Sequence, residues 1–251
     1  MEEEEEIVVV VANYFDSLFI AGTCSQIDDC LNTVPNKLTS KMQQTLTSDF
    51  IADEIKAALF QMGPTKALGP NGMNALFFQK FWHIVGTIIV NAVLEYFNSG
   101  IMSLDINHTH IVLIPKIKSP KKTSDFRPIS LCNVIYKIIS KVLANRLKQV
   151  LPNIISPTQS AFVPGRLITD NVLVAYETLH TMHSQKKGKK GALALKLDIS
   201  KAYECVEWQF LQGIMARLGF PVTWINWVMG CITTLFFHSY KWEAIWLYQP
   251  I

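Results

Sequence analysis

"ALALKLDISKAYECVEW", residues 192–208, sets alternating apolar residues ahead of a single acid, Asp198. A lysine, a tyrosine, two glutamates and a tryptophan follow it closely. The period-2 alternation over 192–198 predicts a strand, and an acid that closes an apolar strand projects readily into a cleft. Asp198 then has two readings. It is either the N-cap of a helix expected from near Ala202, a role that Ser200 fills equally well, or a ligand of a hard cation. Mg²⁺ typically takes one or two protein carboxylates together with substrate phosphates. The segment alone leaves both readings open and raises the question of where further carboxylates would come from.

Composition narrows the setting. The chain has 251 residues, of which 49% are apolar and only 12 are glycine, so it can bury a substantial core in one large or two smaller domains. Cysteines stand at 24, 30, 132, 205 and 231, an odd number without a C-x-x-C pair, so a disulfide framework or zinc site is not expected. A reducing intracellular compartment, nucleus or cytoplasm, is expected instead. The N-terminal "MEEEEE" is the reverse of a secretory leader, and no apolar run reaches membrane-spanning length.

Charge is distributed unevenly. Residues 1–108 carry 5 Lys/Arg against 13 Asp/Glu, residues 109–191 carry 14 against 3, and residues 192–251 carry 4 of each. A central block of net charge +11 between acidic and neutral blocks points to polyanions such as nucleic acid or nucleotide phosphates. The competing reading is a set of solvated helix faces, which suits "KKGKK" (186–190) on its own.

Periodicity places the remaining elements. A helix is predicted over 52–62 with Ile55, Ala58, Leu59 and Met62 inward, stopped by Gly63-Pro64. "TKALGPNGMN" (65–74) reads as a loop. A second helix is predicted over 75–97 with Phe77, Phe81, Val85, Ile88, Ala92 and Tyr96 on one face. "HIVLIPK" (110–116) reads as a strand, followed by the basic turn "IKSPKKTSD" and by "FRPISL". If that turn folds back as a hairpin, the cations of Lys116 and Arg127 could converge on one phosphate group. As isolated residues, both could equally be plain surface charges.

A third helix is predicted over roughly 132–150, carrying Lys137, Lys141, Arg146 and Lys148 and ended by Pro152. "SPTQSAFVPGRLITDN" (156–171) is a loop whose Thr169 or Asp170 could cap a fourth helix running to about 184. The helix from near Ala202 is expected to bury Val206, Phe210, Ile214 and Leu218. A last helix from near Val222 carries Trp224, Trp227, Val228 and Cys231. His108 and His110 alternate at a strand entry, a weak metal pattern that we set aside.

Four segments, in order, resemble a known family: "KALGPNGMNALFFQKFW" (66–82), "LIPKIKSPKKTSDFRPISLCNVIYKIISKVLANRL" (113–147), "QSAFVPGR" (159–166) and "LKLDISKAYECVEW" (195–208). Their succession is similar to that in reverse transcriptases of non-LTR (LINE-type) retrotransposons, particularly the plant kind, over roughly residues 10 to 234. The resemblance implies an α/β (α+β) fragment of a right-hand polymerase. Residues 1–108 would form a helical N-terminal extension, 109–190 the fingers, 191–234 the first part of the palm, and 235–251 a divergent tail.

The resemblance also assigns roles. Asp198 matches the first catalytic aspartate, a Mg²⁺ ligand assisted by the backbone carbonyl of Ile199. Tyr203 matches the steric gate against the sugar of the incoming nucleotide. Lys116 and Arg127 match the basic pair on its triphosphate. Gln159, Phe162, Gly165 and Arg166 match a segment near the template. The implied partners are an RNA template, a DNA primer and dNTP, with no membrane.

Three departures stand out. The family's G-P-D-G reads Gly69-Pro70-Asn71-Gly72 here, and its K-A-Y-D reads Lys201-Ala202-Tyr203-Glu204. The third bears on activity: the family's later aromatic-Ala-Asp-Asp hairpin and Gly-rich "GLRQGDPLSP"-like segment are not in these 251 residues. After Asp198 the acids are Glu204, Glu207 and Glu243. Two-metal phosphoryl transfer needs several carboxylates around ions about 3.5–4 Å apart, so the chain is expected to be a truncated, inactive polymerase domain. The tail "SYKWEAIWLYQP" (239–250), read one nucleotide later with permitted codons, can give the family-like "HINGKPYGYINP", so a frameshift is expected. The nucleotide sequence beyond codon 238 tests that. The alternatives are a non-catalytic RNA/DNA-binding module and a decayed fragment with an unpaired sheet edge.

Overall fold

Helix signals in the first hundred residues act as the sequence suggests, with one exception. The computed structural model describes residues 9–10, 13–14, 17, 27–184, 193–195, 197 and 206–233. Its elements are α1 (Ile27–Asn32), α2 (Ser40–Thr47), α3 (Ala52–Phe60), α4 (Ala75–Lys80), α5 (Trp82–Ser99) and α6 (Leu104–Asn107). There follow β1 (Thr109–Pro115), β2 (Phe126–Cys132), α7 (Val134–Ile154), α8 (Ile168–Ser184), α9 (Trp208–Leu218) and α10 (Val222–Thr233). Thr39 caps α2 by accepting from the Met42 amide, and Asn74 caps α4 by accepting from the Phe77 amide. The Glu54 carboxylate accepts from the Ile51 amide at the start of α3. Gly100 and Gly219 end α5 and α9 in the left-handed region, at φ 72° and 93°.

The exception is the predicted helix over 75–97, which is two helices. The chain breaks at Phe81 (φ −100°, ψ 21°), and the buried face is Ala75, Phe78, Ile89, Val93, Tyr96 and Phe97. Phe77, Phe81 and Ile88, expected inside, are exposed. This segment is apolar on nearly every side, so periodicity offers two overlapping stripes, and the break rotates one against the other. Helix α7 differs in its end. It runs through Pro152 to Ile154, because a proline in the last turn forfeits one backbone bond while Val150 and Ile154 stay buried.

Helix α9 begins at Trp208, not near Ala202. Glu207 is extended (φ −71°, ψ 133°), Val206 lies outside the helix and exposed, and Met215 is its buried residue. The strand expected over 192–198 falls partly outside the described residues. Residues 193–195 and 197 belong to no strand, and Leu193, Leu195 and Leu197 are exposed. The sheet among the described residues is the antiparallel pair β1–β2.

One hydrophobic core joins segments far apart in sequence. Leu46, Ile55, Leu59 and Val93 from the N-terminal helices pack with Val134, Ile138, Ile139 and Val142 of α7 and with Trp224, Trp227 and Cys231 of α10. Polar bonds fasten the same seam. The Tyr96 hydroxyl donates to the Trp227 carbonyl, Trp227 Nε1 donates to the Phe97 carbonyl at 2.9 Å, and the Tyr136 hydroxyl donates to the Cys231 carbonyl at 2.7 Å. Phe50 stacks on Phe97 at 3.6 Å. The N-terminal helices therefore form one packed body with α7, α9 and α10. The hairpin and α8 project from it: β1–β2 contributes no side chain to this core, and α8 buries none.

Candidate nucleic-acid interface

The basic turn folds back as a hairpin, which meets the condition set for Lys116 and Arg127 to converge. β1 and β2 pair with Thr109 opposite Cys132, Ile114 opposite Arg127 and Pro115 opposite Phe126. The Lys116 amide extends the ladder by one bond, donating to the Asp125 carbonyl at 2.7 Å. Side chains alternate along a strand, so Ile114, Lys116, Asp125 and Arg127 share one face. Lys116 and Arg127 are diagonal neighbours on it, a relation that puts Cα atoms roughly 7–8 Å apart. Both are exposed, as are Lys118, Lys121 and Lys122.

Asp125 organises this turn. Its carboxylate accepts from the amides of Lys121 and Lys122 at 2.9 and 3.0 Å, and Lys116 Nζ donates to the Ser124 carbonyl at 2.9 Å. Those two amide bonds, followed by the nearby charges of Lys122 and Lys116, hold the Asp125 carboxyl below the usual carboxylate range. The one acid in the turn is therefore a structural anion; Lys116 Nζ rests on the Ser124 carbonyl, and Lys118, Lys121, Lys122 and Arg127 are exposed around it.

The root of the hairpin is held by a residue that sequence reasoning passed over. Asn133, 5% exposed between β2 and α7, donates through Nδ2 to the Asp105 carbonyl at 2.8 Å, with longer bonds to Ile106 and His108. Its Oδ1 accepts from the Asn71 amide at 3.3 Å. The Gly-Pro-Asn-Gly loop consequently rests on the β2–α7 junction. A Cβ on Gly69 would lie 2.7 Å from the Cys132 carbonyl and 2.8 Å from the Asn133 backbone, so only glycine fits. An asparagine before a helix signals a cap, yet its side chain makes no cap bond here.

In the loop after α7, the Arg166 guanidinium is committed to backbone. It donates to the carbonyls of Gln159 at 2.7 Å and Pro152 at 3.1 Å, and also to Ser156 and Ile155. It thus ties the loop to the carbonyl end of α7, where a cation is favoured. Gly165 is left-handed at φ 78°, and Phe162 is left-handed at φ 62° and 95% exposed. Gln159 donates its amide to the Ser156 carbonyl, and its side chain is exposed.

Arg146 lies on the inner side of α7. It is 3% exposed and forms a two-pronged ion pair with Glu54 at 3.1 and 2.8 Å. Its remaining donors reach the carbonyls of Leu46, Ser48 and Asp49, and its guanidinium stacks 3.6 Å from the Phe50 ring centre. Lys137 is tied to the Ala67 carbonyl at 3.1 Å. Among the described residues the basic block is therefore partly internal scaffold, and five of its exposed cations, Lys116, Lys118, Lys121, Lys122 and Arg127, stand on the hairpin. Asp198, Ile199 and Tyr203 lie outside the described residues. Among the described residues no three His, Cys, Asp or Glu side chains gather as a metal site, and no helix is long and apolar enough to cross a membrane.

Comparison with known proteins adds an independent line. The family model described as reverse transcriptase (RNA-dependent DNA polymerase) matches residues 119–250. The Transposon TX1 uncharacterized 149 kDa protein of Xenopus laevis is 30% identical over 233 residues, 91% of this chain and 17% of that protein. The Pol polyprotein of the R2DM retrotransposable element of Drosophila melanogaster is 27% identical over 162 residues, 64% of this chain and 15% of that one. Its R2 counterpart in Nasonia vitripennis is 26% identical over 196 residues, 76% of this chain and 18% of that one. The chain spans about a sixth of the length of these curated relatives. These relatives come from animals, so the likeness to the plant kind rests on the motifs alone.

Proposed function

The chain belongs to the reverse transcriptase family, and from that premise we propose that its β1–β2 hairpin is the phosphate-gripping face of a non-LTR retrotransposon polymerase. The observation that carries this reading is the register that sets Lys116 and Arg127 on one face of the hairpin. Enzymes of this family act on a nucleic-acid template with nucleotides and divalent metal ions. In the proposed assignment Lys116 and Arg127 hold the triphosphate of an incoming dNTP, and Tyr203 lies against its sugar. Gln159, Phe162 and Gly165 line an RNA template paired with a DNA primer. Arg166 holds that loop in place through its carbonyl bonds. The compartment proposed, from the odd cysteine count, is nucleus or cytoplasm.

A Mg²⁺ pair does not fit the donors of these residues. Asp198 and the carbonyl of Ile199 are one carboxylate and one neutral oxygen, while a two-metal centre needs several carboxylates. These two donors would hold only part of such a centre, which needs further carboxylates beside them. A non-catalytic binding module is the second reading, favoured by a core that closes around α7 and α10 while the hairpin stays outside it.

Primer extension on an RNA template with Mg²⁺ and dNTPs tests the catalytic part. The expected result is no incorporation above that of an Asp198→Ala control. Incorporation that disappears in that control would show a working centre and refute the incomplete-site reading.

A further inference from the structure

The hairpin turn is held at its base and open at its tip. Asp125 fixes the base, taking the Lys121 and Lys122 amides on its carboxylate and the Lys116 amide on its carbonyl. Lys116 Nζ closes on the Ser124 carbonyl, within the short 3-10 helix Thr123–Asp125. Between Lys116 and Lys121 the chain is different. Ile117, Lys118 and Ser119 are exposed, Pro120 is half-buried, and none of the four makes a hydrogen bond among the described residues.

Ser119 therefore presents a free hydroxyl on backbone that a binding cleft can take up without breaking the hairpin. The other hydroxyls of the turn are placed differently. Thr123 and Ser124 lie inside the 3-10 helix, and Lys116 occupies the Ser124 carbonyl. The residues after Ser119 are selective. Pro120 has no amide hydrogen, so an enzyme pocket without an acceptor there takes proline and rejects any residue whose N–H it would strand. Lys121 and Lys122 follow, both exposed, and offer cations to an anionic group beside that pocket. A free serine hydroxyl, a proline and then lysines is the substrate chemistry of a proline-directed protein kinase.

The consequence is electrostatic. A phosphoserine carries about −1.5 to −2 charges at pH 7. The turn and the strand ends beside it hold Lys116, Lys118, Lys121, Lys122 and Arg127 against Asp125 alone, so one phosphate cancels nearly half of the net charge. Being tethered, it also competes for these cations with any phosphate that arrives from solution.

We propose that Ser119 is a phosphorylation site for a proline-directed protein kinase, and that its phosphate releases the hairpin's grip on polyanions. The Ser119 Oγ attacks the γ-phosphorus of ATP, and the bond from that phosphorus to the β-phosphate oxygen breaks. ADP leaves, and the hydroxyl proton passes to the kinase's catalytic carboxylate. The site stands on the turn itself; the release rests on the nucleic-acid reading above.

The test treats the full chain with a cyclin-dependent kinase, Mg²⁺ and ATP, and reads intact mass and fragment spectra. The expected result is one phosphate per chain, on Ser119. Ser119→Ala should abolish incorporation although Thr123 and Ser124 remain. Pro120→Ala should abolish it with the serine in place and circular dichroism unchanged. No incorporation, incorporation elsewhere, or incorporation indifferent to Pro120→Ala would overturn the site. Treated and untreated chains are then titrated with labelled single-stranded RNA against salt. The phosphate should flatten the salt slope by about 1–1.4 and weaken binding roughly ten- to twentyfold at about 0.1 M salt. Ser119→Ala should bind as the untreated chain does, with or without kinase. Equal binding by phosphorylated and untreated chains would overturn the release and leave the site standing. No binding by the untreated chain would overturn the nucleic-acid reading and the release with it, while the mass spectra still decide the site.

Discussion

Arg146 shows how a charge count misleads at a single residue. It belongs to the basic block by number, yet it sits 3% exposed with Glu54, three carbonyls and the Phe50 ring around its guanidinium. Its partner lies 92 residues away, a distance no local pattern spans. Glu54 is 33% exposed and can be solvated when left alone, so Arg146→Ala, which loses the bonds to Glu54 and three carbonyls, should lower stability by about 1.5–3 kcal/mol in chemical denaturation. Arg146→Lys should recover only part of it, lacking the two-pronged geometry. A surface arginine would change stability by no more than about 0.5 kcal/mol.

Cys231 makes a second prediction at this scale. Burial pushes its thiol from an ordinary 9 to about 11, against a smaller opposing effect of the hydrogen bond between its Sγ and the Tyr96 hydroxyl. Burial also raises the Tyr96 hydroxyl, with the Cys231 neighbour adding to the shift. The native state keeps the Cys231 proton where the unfolded chain has shed it. Its contribution is therefore complete below pH 9 and declines as pH rises from 9 toward 11. The melting midpoint of the chain relative to a Cys231→Ala variant should be constant below about pH 9 and fall above it. A difference that stays flat through about pH 11 would contradict the burial of the thiol.

At the scale of elements, legibility followed how local the deciding interaction is. β1 and the turn after it were readable because β-branched residues, a terminal proline and a turn rich in Lys and Ser lie close together, whereas the pairing with β2 stood only as a condition. Helix α3 was readable because it has a single apolar stripe and a clear stop at Gly63-Pro64, and the start of α10 because it follows Gly219-Phe220-Pro221. The split between α4 and α5 was not, since an all-round apolar segment has no unique inward face. Asn133 escaped notice because its partners, Asn71 and the Asp105–His108 turn, are assembled by the fold.

The close approach at Gly69 is testable at this scale. An added methyl meets backbone rather than a flexible side chain, so Gly69→Ala should cost roughly 1–3 kcal/mol through overpacking. Hydrogen exchange should show the hairpin root loosening with it. A neutral substitution would mean that the loop does not rest on Asn133 as described.

At the scale of the molecule, the N-terminal helices share one core with α7 and α10. The resemblance implied a helical N-terminal extension, and motif order does not report packing between distant segments. A shared core predicts one cooperative melt, with tryptophan fluorescence from buried Trp224 and Trp227 coinciding with far-ultraviolet circular dichroism. Two separated transitions would contradict it. The role proposed for Asp198 rests on its companions in sequence, and Asp198 lies outside the described residues, so the functional reading rests on the hairpin.

The central claim, that this hairpin faces nucleic acid, is met most directly by titrating single-stranded RNA binding against salt. Log affinity should fall linearly with log salt. Replacing Lys116, Lys118, Lys121 and Lys122 with alanine should flatten the slope by about 0.7 for each phosphate that is no longer neutralised. No binding at low salt, or an unaltered slope in the fourfold variant, would contradict it.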